Sequence, residues 1–314
     1  MAKLRIALLA GGLSNEREVS LKTGDKIFEA LDRDKYQVTR FDPKTDLAAF
    51  FNEVTAGKFD LVFPALHGPY GEDGRLQGML DMLGLPYVFS DCLSSAIAMD
   101  KIKTKLLASA AGLTLAPDIR IGKHDAFDTK TAVLKLSLPI VVKPADSGSS
   151  VGITIAQNEA ELKRGVDEAF RHGATVLLEK FVKGREFTVA VMGKNVDAHA
   201  LPVVEIIPKI SAWFDHKAKY EVGGSEEICP AKIPDAVRDR VQSDAVKIYN
   251  AIGCKDLARA DFIWSEADDK LYFLEINTIP GMTATSLAPQ AAKAAGMEFG
   301  EFLDKLIEGA LKIK

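Results

Sequence analysis

Three cysteines in 314 residues, Cys92, Cys229 and Cys254, are too few and too scattered to staple a fold. They make no CxxC and no zinc spacing, and an odd, sparse set fits free thiols in a reducing cytoplasm. Long hydrophobic runs are missing too. No stretch approaches the ~20 apolar residues that cross a bilayer. The apolar run within the first ten residues is too short for a signal-peptide core and reads as a buried strand. Charge of one sign is not in excess: 40 Lys+Arg against 44 Asp+Glu leave a net charge of −4. No broad basic surface for nucleic acid or an anionic membrane is therefore expected. The two best-known nucleotide signatures are also absent. There is no GxxxxGK[ST], and Ala10-Gly-Gly-Leu-Ser-Asn-Glu16 does not complete GxGxxG, which weighs against P-loop NTPases and ordinary dehydrogenases. A near-average composition, 47% hydrophobic and 27% charged, excludes collagen-like, disordered and coiled-coil chains. At ~150 residues per domain, the length allows two or three domains.

What is present is an alternation of short apolar runs and helical periodicity. Leu4 to Leu9 reads as a buried strand, followed by Gly11-Gly12 and a helix carrying Val19, Ile27 and Leu31. Tyr36 to Phe41, Asp60 to Ala65 and Pro86 to Phe89 are further strand signals, with an amphipathic stretch at Leu76 to Leu83. This rhythm indicates βαβ units and a parallel sheet, whose ligands gather at the carboxyl ends of strands. Those ends are Gly11 to Glu18 and His67 to Gly74. From about Met99 a lysine-rich helix (Lys101, Lys103, Lys105) opens a segment of different rhythm. Leu138 to Pro144, Ile153 to Ala156, a helix over 159–171 and Val176 to Val182 give a ββαβ-like module. The remainder begins with strands near Phe187 to Met192 and Leu201 to Ile206, then a polar loop from about Pro208 to Ile228. A helix after Pro234-Asp235 buries Val237, Val241, Ile248 and Ile252 and stops at Gly253.

Two segments carry chemistry. Leu257-Ala-Arg-Ala-Asp-Phe and Leu271-Tyr-Phe-Leu-Glu-Ile-Asn277 read as the arms of a hairpin. Period-two alternation puts Arg259 with Asp261 and Glu275 with Asn277. With the turn centred near Ala267, all four face one side, leaving Phe262, Trp264, Tyr272, Leu274 and Ile276 for the core. Two carboxylates and an amide oxygen are hard donors suited to Mg²⁺ completed by phosphates; the alternative is a solvated face with an Arg–Asp pair. The second segment is Lys143-Pro-Ala-Asp-Ser-Gly-Ser149-Ser-Val-Gly152. Its backbone amides and hydroxyls can wrap phosphate oxygens, with Lys143 as a point charge. Gly148-Ser-Ser-Val-Gly152 also fits G-x-S-x-G, but a strand rather than the required helix follows the serine. An ordinary hairpin turn is the plainer alternative.

Taken in order, these residues resemble the ATP-grasp ligases and, more closely, the D-alanine–D-alanine ligase family. The matching stretches are Gly11 to Ser20, Ala65 to Gly78, Met99-Asp-Lys101, Gly148 to Gly152, Glu179-Lys-Phe-Val182 and Glu275 to Ser286. The resemblance implies an α/β chain in which an N-terminal βαβ (Rossmann-like) domain, 1–100, precedes a two-part ATP-grasp fold. A central subdomain at 101–185 would carry the Gly/Ser loop, and a C-terminal one at 186–314 the lid loop and metal site. It implies that ATP phosphorylates the carboxylate of one D-alanine and that the amine of a second attacks the acyl phosphate, for peptidoglycan precursor synthesis. By the same resemblance Asp261, Glu275 and Asn277 would hold two Mg²⁺ (or Mn²⁺) ions. Lys101, Lys143 and Lys219 would contact phosphates. Glu179, Lys180 and Val182 would hold the adenine, and Glu186 the ribose. Glu16 would take the first substrate's ammonium, with His67 nearby. Arg259 and the Gly281 amide would form an oxyanion pocket, and Ser286 with Leu287 would bind the second carboxylate. Tyr220 of the lid would close onto Glu16 and Ser149. A homodimer in the cytoplasm is implied, binding two D-alanine molecules, no nucleic acid and no membrane.

Two other functions fit parts of the pattern: a related ligase joining a different carboxylate and amine, and a nucleotide-binding regulator that has kept the fold without turnover. Competent residues at every phosphoryl-transfer position argue against the second.

Overall fold

The computed structural model describes residues 2–146, 152–209, 223–283 and 285–312. Strand β1 (Leu4–Leu9) lies between β2 (Tyr36–Phe41) and β3 (Leu61–Pro64), all parallel. Parallel strands are covered on both faces, and the β1 sequence meets that demand. Ile6 and Leu8 enter one apolar cluster, while Ala7 and Leu9 enter another with Phe50 and Leu80. Helices α1 (Arg17–Ala30) and α2 (Leu47–Thr55) make the connections. Tyr87 adds only an isolated bridge to Val62, so Pro86 to Phe89 is a bridge rather than a strand.

Helices α3 (Arg75–Met82), α4 (Cys92–Met99) and α5 (Lys101–Ala110) follow. The lysine-rich segment is divided at Asp100, whose carboxylate accepts from the amides of Ile102 and Lys103 and starts a new helix. A second sheet has the order β4-β7-β5-β6, wholly antiparallel. It comprises β4 (Asp118–Gly122), β5 (Ile140–Pro144), β6 (Thr154–Ala156) and β7 (Thr175–Lys180), with α6 (Thr129–Leu136) and α7 (Glu159–Ala169) packed on it. Strand β4 and helix α6 are elements that the apolar pattern does not announce.

The third sheet runs β11-β10-β8-β12-β13, with β9 (His199–Ala200) beside β8. Its members are β8 (Arg185–Lys194), β10 (Val204–Pro208), β11 (Ser225–Ile228), β12 (Lys255–Ser265) and β13 (Lys270–Asn277). The last four residues of the expected polar loop are thus a strand. Helix α8 (Asp235–Ile252) lays Val237, Val241, Ile248 and Ile252 against Phe187, Val189 and Phe262, and ends at Gly253 in the left-handed region. Burying each such side chain contributes roughly 1.5–3 kcal/mol. Helices α9 (Leu287–Ala294) and α10 (Phe299–Leu311) close the chain, and α10 returns to the first sheet, joining its core through Phe302, Leu303 and Leu306. No described helix is long and apolar enough to cross a membrane.

The β12–β13 ladder departs from the simple hairpin. Near the turn Phe262 pairs with Phe273 and Ser265 with Lys270, but beyond it Asp261 pairs with Glu275 and Arg259 with Asn277. Leu274 is the extra residue, a β-bulge. Continued without it, the ladder would set Asp261 against Leu274 and Arg259 against Ile276. The bulge also corrects the apolar face: Leu271 and Phe273 are the core residues, at 4% and 3% exposure, rather than Tyr272 and Leu274.

Candidate functional site

A cavity of about 540 Å³ opens where the first and third sheets meet. Glu16 at the start of α1, His67 after β3, Lys101 at the start of α5, Arg259 on β12 and Glu275 with Asn277 on β13 all line it. Gly281, Ser286 and Leu287 complete the wall. Most of these residues lie near the end of a strand or the start of a helix; Arg259 reaches the cavity from the middle of β12.

On the hairpin, the Arg259 guanidinium grips Asp261 through Nε (3.0 Å to Oδ1) and a terminal nitrogen (2.9 Å to Oδ2). The Thr188 hydroxyl of β8 donates to the same carboxylate. Lys101 Nζ lies 3.3 Å from Glu275 Oε2, and Asn277 Oδ1 accepts the Ile279 amide at 3.0 Å. Among the described residues no three His, Cys, Asp or Glu side chains converge as a metal cage. Two carboxylates and an amide oxygen on one face, each carboxylate already drawing a cationic side chain, fit a hard divalent ion completed by other ligands' oxygens. Glu186 pairs with Ile263 across the β8–β12 ladder, two residues from Thr188, and so shares that face.

The opposite wall is held by buried polar groups. His67 Nε2 is 3.0 Å from the Thr23 hydroxyl. Burial lowers its pKa to about 4, assisted by the nearby Arg259 charge and opposed by a bond to the Ile279 backbone. The ring is neutral at physiological pH. Glu72 accepts the Gly68 amide at 2.5 Å, and burial, then the Glu16 charge, push its carboxyl well above the usual range. Gly68 has φ +72°, and a Cβ there would fall 2.4 Å from Glu16 Oε2. A side chain at that position would displace the Glu16 carboxylate. In the loop before α9, the Ser286 hydroxyl accepts the Thr283 amide at 3.0 Å, and a Cβ on Gly281 would meet it at 2.9 Å. Ser286 immediately precedes α9, where open helix amides favour an anion.

A second group lies off this cavity. Glu179 on β7 takes Lys143 on one oxygen and Lys105 on the other, and Lys105 also reaches Asp118 at 2.8 Å. Burial by itself would raise the Glu179 pKa, but Lys143 and Lys105 hold it below the usual carboxylate value. Lys180 is exposed at the strand end, and Val182 and Glu186 are half-buried. Ser149, Lys219 and Tyr220 lie outside the described residues.

Sequence reasoning gave no role to Thr188, Lys105, Glu72 or the Ile279 backbone. Lys105 lies one turn from Lys101 on the same helix face, a readable signal. The alternation around Phe187 could place Thr188 beside Glu186, but nothing in it names Asp261 as a partner. The Ile279 backbone's interactions with His67 and Glu72 are long-range.

The family model "D-ala D-ala ligase C-terminus" matches residues 107–308, and "D-ala D-ala ligase N-terminus" matches 41–90. The D-alanine–D-alanine ligase of Desulfotalea psychrophila is 49% identical over 99% of the chain and 96% of its own length. That of Syntrophobacter fumaroxidans is 47% identical over 99% and 98%. Among solved structures, a Bacillus anthracis D-alanine–D-alanine ligase complexed with ATP superposes with a TM-score of 0.83 at 31% identity, covering 99% of this chain and 98% of that one. The VanG D-Ala:D-Ser ligase of Enterococcus faecalis gives 0.81 at 31% identity over 98% and 99%.

Proposed function

The chain belongs to the D-alanine–D-alanine ligase family, and from that premise we propose how its cleft joins two D-alanine molecules with ATP. The enzyme is an ADP-forming ATP-grasp ligase whose product serves peptidoglycan synthesis. One observation carries the assignment of roles: the bulged hairpin presents Arg259, Asp261, Glu275 and Asn277 on one face beside a cavity with Glu16 and His67 in its wall.

Glu16 pairs with the ammonium of the first D-alanine and sets its carboxylate toward the hairpin. The γ-phosphoryl of ATP passes to that carboxylate, forming an acyl phosphate and ADP, with Lys101, Lys143 and Lys219 on the phosphates. Asp261, Glu275 and Asn277 would hold Mg²⁺, or Mn²⁺ in its place, which when bound neutralises charge on the transferring group. Glu179, Lys180 and the Val182 backbone hold the adenine, and Glu186 the ribose. The second D-alanine lays its carboxylate at Ser286 and Leu287, on the helix amides of α9. Its amine, deprotonated, attacks the acyl carbonyl; the C–N bond forms, the C–O bond to phosphate breaks, and the departing phosphate takes the amine's second proton. Arg259 and the Gly281 amide stabilise the developing oxyanion. His67, held by the Thr23 hydroxyl, stands in the cavity wall near the first D-alanine subsite. Tyr220, with Glu16 and Ser149, closes the lid against water, which would otherwise hydrolyse the acyl phosphate.

We further infer three units, 1–100, 101–185 and 186–314, each centred on one of the three sheets, and a cytoplasmic homodimer. Phosphate release and dipeptide formation from Mg-ATP with a panel of D- and L-amino acids test the reading. D-alanine-dependent release with one dipeptide per phosphate is expected; release with another acceptor only, or none, would overturn it.

A further inference from the structure

Lys105 has no part in the mechanism above, yet at 2% exposure it is the most enclosed charged side chain among the described residues. Its ammonium meets three acceptors: the Ala116 carbonyl at 3.1 Å, Asp118 Oδ2 at 2.8 Å and Glu179 Oε1. An ammonium has three donors, so Lys105 is fully committed. The other Glu179 oxygen holds Lys143. Beyond Lys143 stands Glu275, whose charge acts on that lysine and which itself pairs with Lys101. Arg120, 3.4 Å from Asp118, caps the outer end. The charges thus alternate in sign from Arg120 through Asp118, Lys105, Glu179, Lys143 and Glu275 to Lys101, a row leading from the edge of the central sheet to the hairpin.

Lys143 divides its donors between Glu179 and any phosphate it serves, so the tighter Glu179 holds it, the less it gives to ATP. If it left, a buried carboxylate with no other cation would be strongly disfavoured. A second cation on the far oxygen removes that obstacle. We propose that Lys105 is a positioning residue for nucleotide binding: it keeps Glu179 neutralised and in place, so that Lys143 can exchange its carboxylate for the phosphates of ATP. Asp118 works in the opposite sense, drawing Lys105 outward and leaving Glu179 more dependent on Lys143. This inference rests on the proposed contacts of Lys143 and Glu179 with ATP.

The test is steady-state kinetics of the full chain with Mg-ATP and D-alanine. Lys105→Met should raise KM for ATP about tenfold or more, while kcat at saturating ATP and both KM values for D-alanine stay within about threefold. Lys105→Met combined with Glu179→Gln should show a smaller ATP defect than the two single changes added, because no carboxylate then retains Lys143. Asp118→Asn should lower KM for ATP about twofold, the opposite direction. A Lys105→Met enzyme whose kcat and all KM values worsen together, or additive single effects, would overturn the inference. Should Lys105→Met fail to fold, Asp118→Asn decides alone, and an unchanged or raised KM for ATP overturns it. A wild-type enzyme with no D-alanine-dependent turnover would instead overturn the functional reading itself.

Discussion

Asp256 and Asp261 stand five residues apart on one strand, β12, and each is 6% exposed. Their surroundings differ completely. Asp261 accepts two bonds from the Arg259 guanidinium and one from Thr188. Asp256 sits in the left-handed region at φ +61° at the start of β12, and accepts the Phe89 amide of the N-terminal region at 2.9 Å. Burial pushes its pKa up to about 6, with Lys255 opposing the rise. Burial alone therefore does not make a carboxylate functional. Asp261 is gripped by a guanidinium and a hydroxyl beside a cavity; Asp256 is a junction residue that the fold would hold more easily neutral.

The largest effect should come from the Asp261 side of this comparison. Glu275→Gln, which removes one of the paired carboxylates on the hairpin, should lower kcat about 10³-fold or more with an unchanged circular-dichroism spectrum; near-normal turnover would remove the metal assignment. Gly68→Ala comes next. A methyl group 2.4 Å from Glu16 Oε2 should raise KM for the first D-alanine by about tenfold, with KM for ATP little changed. An equal rise in both would show that Glu16 is not the ammonium's partner. Thr188→Val should lower kcat about three- to tenfold, because Asp261 loses one donor and keeps Arg259. No change would mean that Arg259 alone fixes Asp261.

Asp256→Asn probes the other side, with stability as the readout. A carboxyl whose pKa is about 6 folded and ~3.8 unfolded binds its proton more tightly in the folded state. Its favourable contribution is full below about pH 4 and is lost as pH rises through about 6. Asparagine keeps an acceptor for the Phe89 amide and tolerates the left-handed backbone. The variant should thus be more stable than wild type at pH 7.5, by about 1–2 kcal/mol, and the gap should close near pH 4.5. Denaturant midpoints at the two pH values check this, with kcat unaffected. A variant less stable at pH 7.5 would make Asp256 a salt-bridge partner of Lys255 and blur the contrast with Asp261.

Much of the fold was legible because its periodicities are local. The α8 face of Val237, Val241, Ile248 and Ile252, with its stop at Gly253, follows from a 3.6-residue period and a glycine C-cap. The buried β1 strand follows from the apolar run Ile6 to Ala10. The shared face of Arg259, Asp261, Glu275 and Asn277 also followed from alternation, but through a different register. A turn centred on Ala267 gives the right face with the wrong core partners; the Leu274 bulge repairs the register. The separate grouping of Lys143, Glu179, Lys105 and Asp118 was equally hidden. They come from β5, β7, α5 and β4, and no periodicity links four elements.

The sequence by itself determined most of the elements, β4, α6 and β11 apart, and which residue types crowd their ends, since propensity, capping and binary pattern act over a few residues. It determined too that α8 stops at Gly253, where the backbone takes a positive φ. Only the tertiary structure decided that Asp261 meets Glu275 rather than Leu274, that His67 reaches the Ile279 backbone, and that Lys105 shares Glu179 with Lys143. Each is a contact between segments far apart in the chain. Such contacts are chosen by how whole sheets pack and by the cost of leaving a buried charge alone, and neither quantity exists until the chain has folded.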